Sequence, residues 1–94
     1  MDVWQVYLIR NCHNALYCGI SNNVDRRFQL HQTGKGAKAL RGKGPLLLVW
    51  RSDPALELTK SQALKVEAQI KKLPKIQKER IVTKQCLPVR ITID

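Results

Sequence analysis

The seven carboxylates, Asp2, Asp25, Asp53, Glu57, Glu67, Glu79 and Asp94, are scattered along the chain. No Asp-x-Asp pair is present to hold two metal ions about 4 Å apart, so two-metal phosphodiester chemistry is disfavoured. A single Mg²⁺ is commonly held by one carboxylate on a half-buried helix flank, with waters and a substrate phosphate completing the octahedron. Glu67 is the acid whose position suits that role. Cations gather where acids do not: Lys35, Lys38, Arg41 and Lys43 lie in the glycine-rich stretch 33–45. In such a loop successive backbone N–H groups can point into a concavity while nearby cations add charge, which suits a phosphate of DNA or RNA. Two familiar phosphate motifs fail there. Gly34-Lys35-Gly36-Ala37-Lys38-Ala39 resembles a dinucleotide fingerprint but follows a helix instead of a strand, and Gly42-Lys43-Gly44 lacks the spacing and hydroxyl of a P-loop.

These side chains need elements to hold them. Val3–Arg10 and Ala15–Ile20 read as strands of a hairpin around Asn11-Cys12-His13-Asn14. Tyr7 and Tyr17 are ten residues apart, so their rings share a face only if the loop has an odd number of residues. A three-residue loop at Asn11–His13, or a bulge, is expected. Asn22 or Asn23 caps a helix running to about Gln32, with the following glycines ending it. At 100° per residue Val24, Phe28 and His31 cluster, Arg27 borders that face, and Arg26 points into solvent. Pro45 introduces Leu46–Trp50, an apolar run suited to a strand buried on both faces. Thr59-Lys60-Ser61-Gln62 matches a capping box for a helix reaching Leu73, with a core stripe of Ala63, Val66, Ile70 and Leu73 and Glu67 at its edge. A third helix over 75–83 precedes a strand or tail from Cys86 to Asp94.

Ninety-four residues, 44% of them apolar, make one core and one domain. We place that domain at residues 1–83 and a C-terminal tail at 84–94. Seventeen Lys and Arg against seven acids leave a net charge of +10, which makes polyanions the expected partners. Cys12, Cys18 and Cys86 form no Cys-x-x-Cys pair, which fits reduced thiols in a cytoplasmic protein. No apolar stretch approaches the ~18 residues a membrane span needs, and no signal-like start is seen. Cys18 reads as a small buried hydrophobe, His13 as a turn residue, and Trp4 and Trp50 as core fillers before base-stacking platforms.

One ordered set is more specific than any of its parts. Gln5-Val6-Tyr7, then Tyr17-Cys18-Gly19, Arg27 ten residues beyond Tyr17, His31 four beyond Arg27, and Glu67 on a later helix resemble the GIY-YIG nuclease domain. Tyr7-Leu8-Ile9-Arg10, the Gly34–Lys38 run and Lys71-Lys72…Lys78-Glu79-Arg80 are similar to the small standalone bacterial members. The resemblance spans about residues 3–83. It implies an α+β fold, a three-stranded antiparallel sheet flanked by helices in the order ββαβαα. Gln5 replaces the glycine of the motif name and Cys18 its isoleucine, without loss of a catalytic atom. Many members carry an Asn after the glutamate; here none follows Asn23, leaving Gln77 or Lys78 as stand-ins.

The resemblance implies a metal-dependent endonuclease acting on single-stranded, duplex or branched DNA, with RNA a lesser candidate, in repair or recombination. Tyr7, Tyr17, Arg27, His31 and Glu67 would surround one scissile phosphate. Glu67 would bind one Mg²⁺ or Mn²⁺ and Arg27 the non-bridging oxygens. Tyr7 would be the general base with His31 taking its proton, or His31 the base with Tyr7 orienting the water. Lys35, Lys38, Arg41, Lys43, Lys71 and Lys72 would hold the backbone of the nucleic acid. A monomer is expected and would cut one strand; double-strand cleavage would require a dimer or two visits. The alternative is a non-catalytic nucleic-acid-binding module held by the same basic loop and helices.

Overall fold

The computed structural model describes residues 2–93. Its elements run β1 (Gln5–Arg10), β2 (Leu16–Ser21), α1 (Val24–Gln32), β3 (Leu47–Arg51), α2 (Lys60–Lys71) and α3 (Lys75–Lys84), the ββαβαα order, with short 3-10 turns at Lys38–Leu40 and Pro54–Leu56. The three strands form one antiparallel sheet in the order β2-β1-β3.

The hairpin loop is set by asparagines. Asn11 Oδ1 accepts hydrogen bonds from the backbone N–H groups of His13 and Ala15, and the Asn11 N–H donates to Ala15 O. Asn14 takes a left-handed conformation at φ 62°, which asparagine tolerates better than most residues. The tight loop is therefore Cys12–Asn14, three residues as expected but one position later than Asn11–His13. That shift pairs Tyr7 with Gly19 and Ile9 with Tyr17. The two tyrosines share a face diagonally instead of standing opposite each other.

The central strand is β1, in which Val6, Tyr7, Leu8 and Ile9 are all buried. The apolar run that suggested a strand buried on both faces is instead the edge strand β3, with Leu47 58% exposed. A register shift opposite Leu8/Ile9 leaves Val49 as an extra residue. The bulge turns Leu48 toward one face of the sheet and Trp50 toward the other, which explains how a continuous apolar run serves both.

Two cores result. Val6, Leu8, Cys18 and Trp50 pack with Ala63, Val66, Ile70 and Leu73 of α2 and its exit, and with Ile81 of α3. On the opposite face Tyr7, Ile9, Val24, Leu40 and Leu46 pack together under α1, with Tyr17 and Phe28 at the margin. Helix α1 is capped by Asn23, whose side chain accepts from the Arg26 N–H. It ends at Gly34, φ 77°, where the Gly34 and Lys35 N–H groups return to His31 O and Leu30 O in a Schellman arrangement. The capping box at α2 forms as expected between Thr59 and Gln62. Gln5, at the position of the family glycine, donates from its amide to Ser52 O, while the Val6 N–H donates to the buried Ser52 hydroxyl.

The C-terminal segment is docked, and it is not a strand. Leu87, Ile91 and Ile93 pack on the α2/α3 core, and the Gln69 amide donates to Thr92 O and accepts from Thr92 N–H. Asp94 lies outside the described residues. Helix α3 is fastened to β1 by a bidentate pair, Arg10 Nη1 and Nη2 each 2.7 Å from a Glu79 carboxylate oxygen. Hydrogen bonding from Arg10 holds the Glu79 carboxyl below its usual range. Because the folded chain binds that proton less readily than the unfolded one, the linked stability is present above about pH 4.3 and fades as pH falls through the folded value. Replacing Glu79→Gln should cost about 1 kcal/mol in urea unfolding at neutral pH. The gap from the parent should narrow progressively as pH falls below about 4.3.

Candidate active site

Tyr7 and Tyr17 project from the hairpin face that α1 covers, and α1 brings His31 down onto them. The Tyr7 hydroxyl and His31 Nε2 are 2.9 Å apart in a buried hydrogen bond. Tyr17 stands edge-on to His31 at 5.7 Å between ring centroids and 6.5 Å from Tyr7. On its other side the imidazole Nδ1 accepts a hydrogen bond from the Ala37 N–H at 3.1 Å. His31 is 2% exposed and Tyr7 1%, so both rings are fixed by packing as well as by hydrogen bonds.

Arg27 lies one turn before His31 on α1. Its side chain is solvated, yet the charge of its guanidinium favours the ionised Tyr7 phenol and disfavours a charged His31. Burial pushes the Tyr7 phenol up to about 12, with the neighbouring Tyr17 adding to the rise and Arg27 opposing it. Burial, and then Arg27, move the His31 imidazole below its usual value, so it is held neutral. Arg26 is exposed as well, so burial does not separate the two arginines as their helical positions suggested; only Arg27 acts on the Tyr7–His31 pair.

Glu67 does not join these four through any hydrogen bond or ion pair among the described residues. Helix α2 covers the other face of the sheet, and Glu67 flanks the edge strand β2. Its carboxylate lies 3.5 Å from Lys71 Nζ, and its charge acts on the Cys18 thiol. Of the five groups expected to converge, the structure brings the Tyr7, Tyr17 and His31 rings together, sets Arg27 one turn before His31 on the same helix, and gives Glu67 no direct contact with them. The physical reason is strand parity: Cys18 and Tyr17 are neighbours in sequence and point to opposite faces.

No group of three or more His, Cys, Asp or Glu side chains gathers among the described residues. The residues present fit only the single-carboxylate mode, in which Glu67 gives one hard oxygen ligand. Of the two stand-ins for the family Asn, Gln77 is engaged by Arg90, while the charge of Lys78 reaches Cys18 as that of Glu67 does. Cys18 itself is pushed by burial up to about 12 and is an inert core thiol.

The basic loop and α3 both reach the hairpin turn. Lys35, Lys38 and Arg41 are exposed and Lys43 half-buried; Lys43 O accepts from the Cys12 N–H, tying the basic loop to the turn. Lys75 Nζ donates to Asn14 O from the other side, close in sequence to the exposed Lys71 and Lys72. Trp50 is buried in the core and Trp4 carries Lys60 Nζ 5.3 Å from its ring centroid, so neither offers a free face for a base. His13 is an exposed turn residue.

Two glycines shape the site without being apparent as functional residues from sequence spacing. A Cβ on Gly19 would lie 2.5 Å from Tyr7 Oη, and one on Gly36 would lie 2.1 Å from His31 Nδ1. Gly19 was visible only as part of the Tyr-Cys-Gly triplet, and Gly36 only inside a motif that fails as a dinucleotide fingerprint.

With hairpin phenols, an Arg-His helix and an α2 carboxylate arranged on a ββαβαα sheet, the fold and site define a GIY-YIG type domain. The profile described as the GIY-YIG catalytic domain matches residues 3–80, and the chain belongs to that family. It is similar to small bacterial proteins. Over 79 residues it is 61% identical to a UPF0213 protein of Vibrio campbellii, covering 84% of this chain and 73% of that protein. Over 85 residues it is 54% identical to the UPF0213 protein YhbQ of Salmonella arizonae, covering 90% and 82%. A solution NMR structure of a UPF0213 protein from Bacillus halodurans shares the fold at TM-score 0.53 and 35% identity, over 87% of this chain and 84% of that one.

The Gly19 contact sets a test of the geometry. Gly19→Ala should destabilise the fold by about 1–3 kcal/mol through overpacking. It should also shift the Tyr7 ring resonances in NMR spectra; unchanged spectra and stability would mean that the phenol does not sit over this glycine.

Proposed function

We propose that this protein is a divalent-metal-dependent endonuclease acting on single-stranded or structured DNA. In this reading Tyr7, Tyr17, Arg27 and His31 form the phosphate pocket, and Glu67 is the ligand of one Mg²⁺ or Mn²⁺. The observation that carries the reading is the buried Tyr7–His31 hydrogen bond with the Arg27 guanidinium acting on both partners. A polar pair fixed so deeply costs desolvation that packing alone does not require. Membership of a catalytic-domain family and a charge of +10 point the same way.

Arg27 binds the non-bridging oxygens of the scissile phosphate, and Tyr17 positions the phosphate or the attacking water. Tyr7 is the general base toward that water. Glu67 would hold the cation, which when bound would supply charge neutralisation to the phosphate and the leaving 3′ oxygen. Substrate wrapped around the β2 edge is the means by which the α2 carboxylate and the phenol face serve one phosphate. Lys35, Lys38, Arg41 and Lys43, with Lys71 and Lys72, grip the backbone beyond it, without reading bases. The protein works as a monomer that cuts one strand, in the cytoplasm, where its three free thiols suit a reducing milieu.

A second reading, a binding module without catalysis, draws support from one observation: the Glu67 carboxylate is paired with Lys71 and shares no hydrogen bond with the phenols or His31 among the described residues. Incubation with single-stranded, duplex and branched DNA in Mg²⁺, Mn²⁺ or EDTA separates the two. Nicking should appear with metal only and fall by about 100-fold or more in Tyr7→Phe, Arg27→Ala and Glu67→Gln. The rate should climb by about tenfold per pH unit above neutrality as the raised phenol ionises. Lys35→Ala and Lys38→Ala should each flatten the salt dependence of binding by roughly one ion. Binding with no nicking in any metal would establish the module instead.

A further inference from the structure

The nuclease reading leaves open which way the proton between Tyr7 and His31 runs, and the loop after α1 bears on this. A backbone N–H can only donate, so the Ala37 N–H, 3.1 Å from His31 Nδ1, requires a lone pair on that nitrogen. In neutral imidazole the remaining nitrogen then carries the hydrogen. Nε2 is that atom, and it lies 2.9 Å from the Tyr7 hydroxyl.

We propose that Gly36 and Ala37 are positioning residues that lock His31 as an Nε2–H donor to Tyr7, so that the proton of Tyr7 faces the bound phosphate or water and never passes to His31. The inference rests on the endonuclease reading only for its catalytic consequence; the tautomer itself does not depend on it.

Three features of the loop support the lock. Gly36 carries its α-carbon so close to the imidazole that a Cβ would lie 2.1 Å from Nδ1, 2.8 Å from Cε1 and 2.9 Å from Cγ. The ring thus rests on backbone, with no room for it to turn away. Gly36 has no positive φ, whereas Gly34 and Gly42 do, so its role is space and not backbone torsion. Ala37 is held at φ −62°, ψ 138°, at the entrance to the Lys38–Leu40 turn, whose Leu40 is buried against the Tyr7 face. The donor is therefore anchored to the same core as the acceptor.

The Tyr7 oxygen then faces the His31 Nε2–H donor, with the positive charge of Arg27 acting on it as well. Both stabilise a phenolate when it forms, and neither can receive the proton it loses. When Tyr7 takes a proton from the attacking water, its own hydroxyl proton has first left toward solvent or a phosphate oxygen on the open side. The same loop carries Lys35 and Lys38, so the segment that grips the backbone of the nucleic acid also orients the imidazole.

Long-range ¹H–¹⁵N spectra of the full chain, labelled at histidine and assigned with His13→Gln, read the tautomer without any cleavage. At pH 7.5 His31 should be neutral, with Nε2 protonated and Nδ1 bare; an Nδ1-protonated or charged ring would overturn the proposal. Gly36→Ala should scramble this signature, and retention of the parent signature would remove Gly36 from the lock. In nicking assays His31→Gln keeps a donor but cannot accept a proton, so it should stay within about tenfold of the parent while His31→Leu falls by at least another tenfold. Equal loss in the Gln and Leu variants, with both folded by their amide spectra, would make His31 a proton acceptor and end the inference. Absence of nicking in the parent would count against the nuclease reading alone, since the wild-type spectrum still decides the tautomer.

Discussion

The register of the first hairpin is the constraint on which the rest of the molecule depends. Side chains alternate across a strand with period two, so a slip of one residue would exchange the faces of β2 and send Tyr17 into the α2 core and Cys18 toward α1. The Asn11 carboxamide, bonded to two backbone N–H groups, and the left-handed Asn14 hold the loop at three residues. Every later feature inherits that choice. Gly19 comes to lie opposite Tyr7, His31 finds the phenol within hydrogen-bonding reach, and Cys18 joins the apolar stripe of α2.

Much of this was legible before any coordinates. Period and caps located α1 and α2, because an Asn cap, a Thr/Gln capping box and a glycine stop are local signals that tertiary packing did not override. The parity argument for Tyr7 and Tyr17 was also local, and its error of one residue came from a side chain that bonds backbone two and four residues ahead. The edge position of β3 was not legible. An apolar run of five says that both faces are needed but not that a bulge will supply them in turn, nor that β1 will be the strand with neighbours on each side.

For the site, side-chain types and helical spacing were enough to bring Arg27 and His31 over the phenols. They were not enough to locate Glu67 relative to the sheet, because a residue on the edge of a stripe can lean toward either face of an edge strand. The backbone partners of His31 were wholly hidden. Ala37 contributes only an N–H and Gly36 only an absent side chain, and neither leaves a mark in residue type that distinguishes it from a solvated loop.

The bulge in β3 has a consequence for self-association. An edge strand offers unpaired backbone groups to any other strand that approaches, and a flat, regular edge invites a second copy to continue the sheet. Here Val49 breaks the regular spacing, and its carbonyl is taken up by the Gln85 amide at the end of α3. A copy seeking to extend the sheet through that edge must first displace Gln85 and then match an irregular ladder. The apolar run of this chain is in this way shielded from the fibre-like stacking that its composition would otherwise favour.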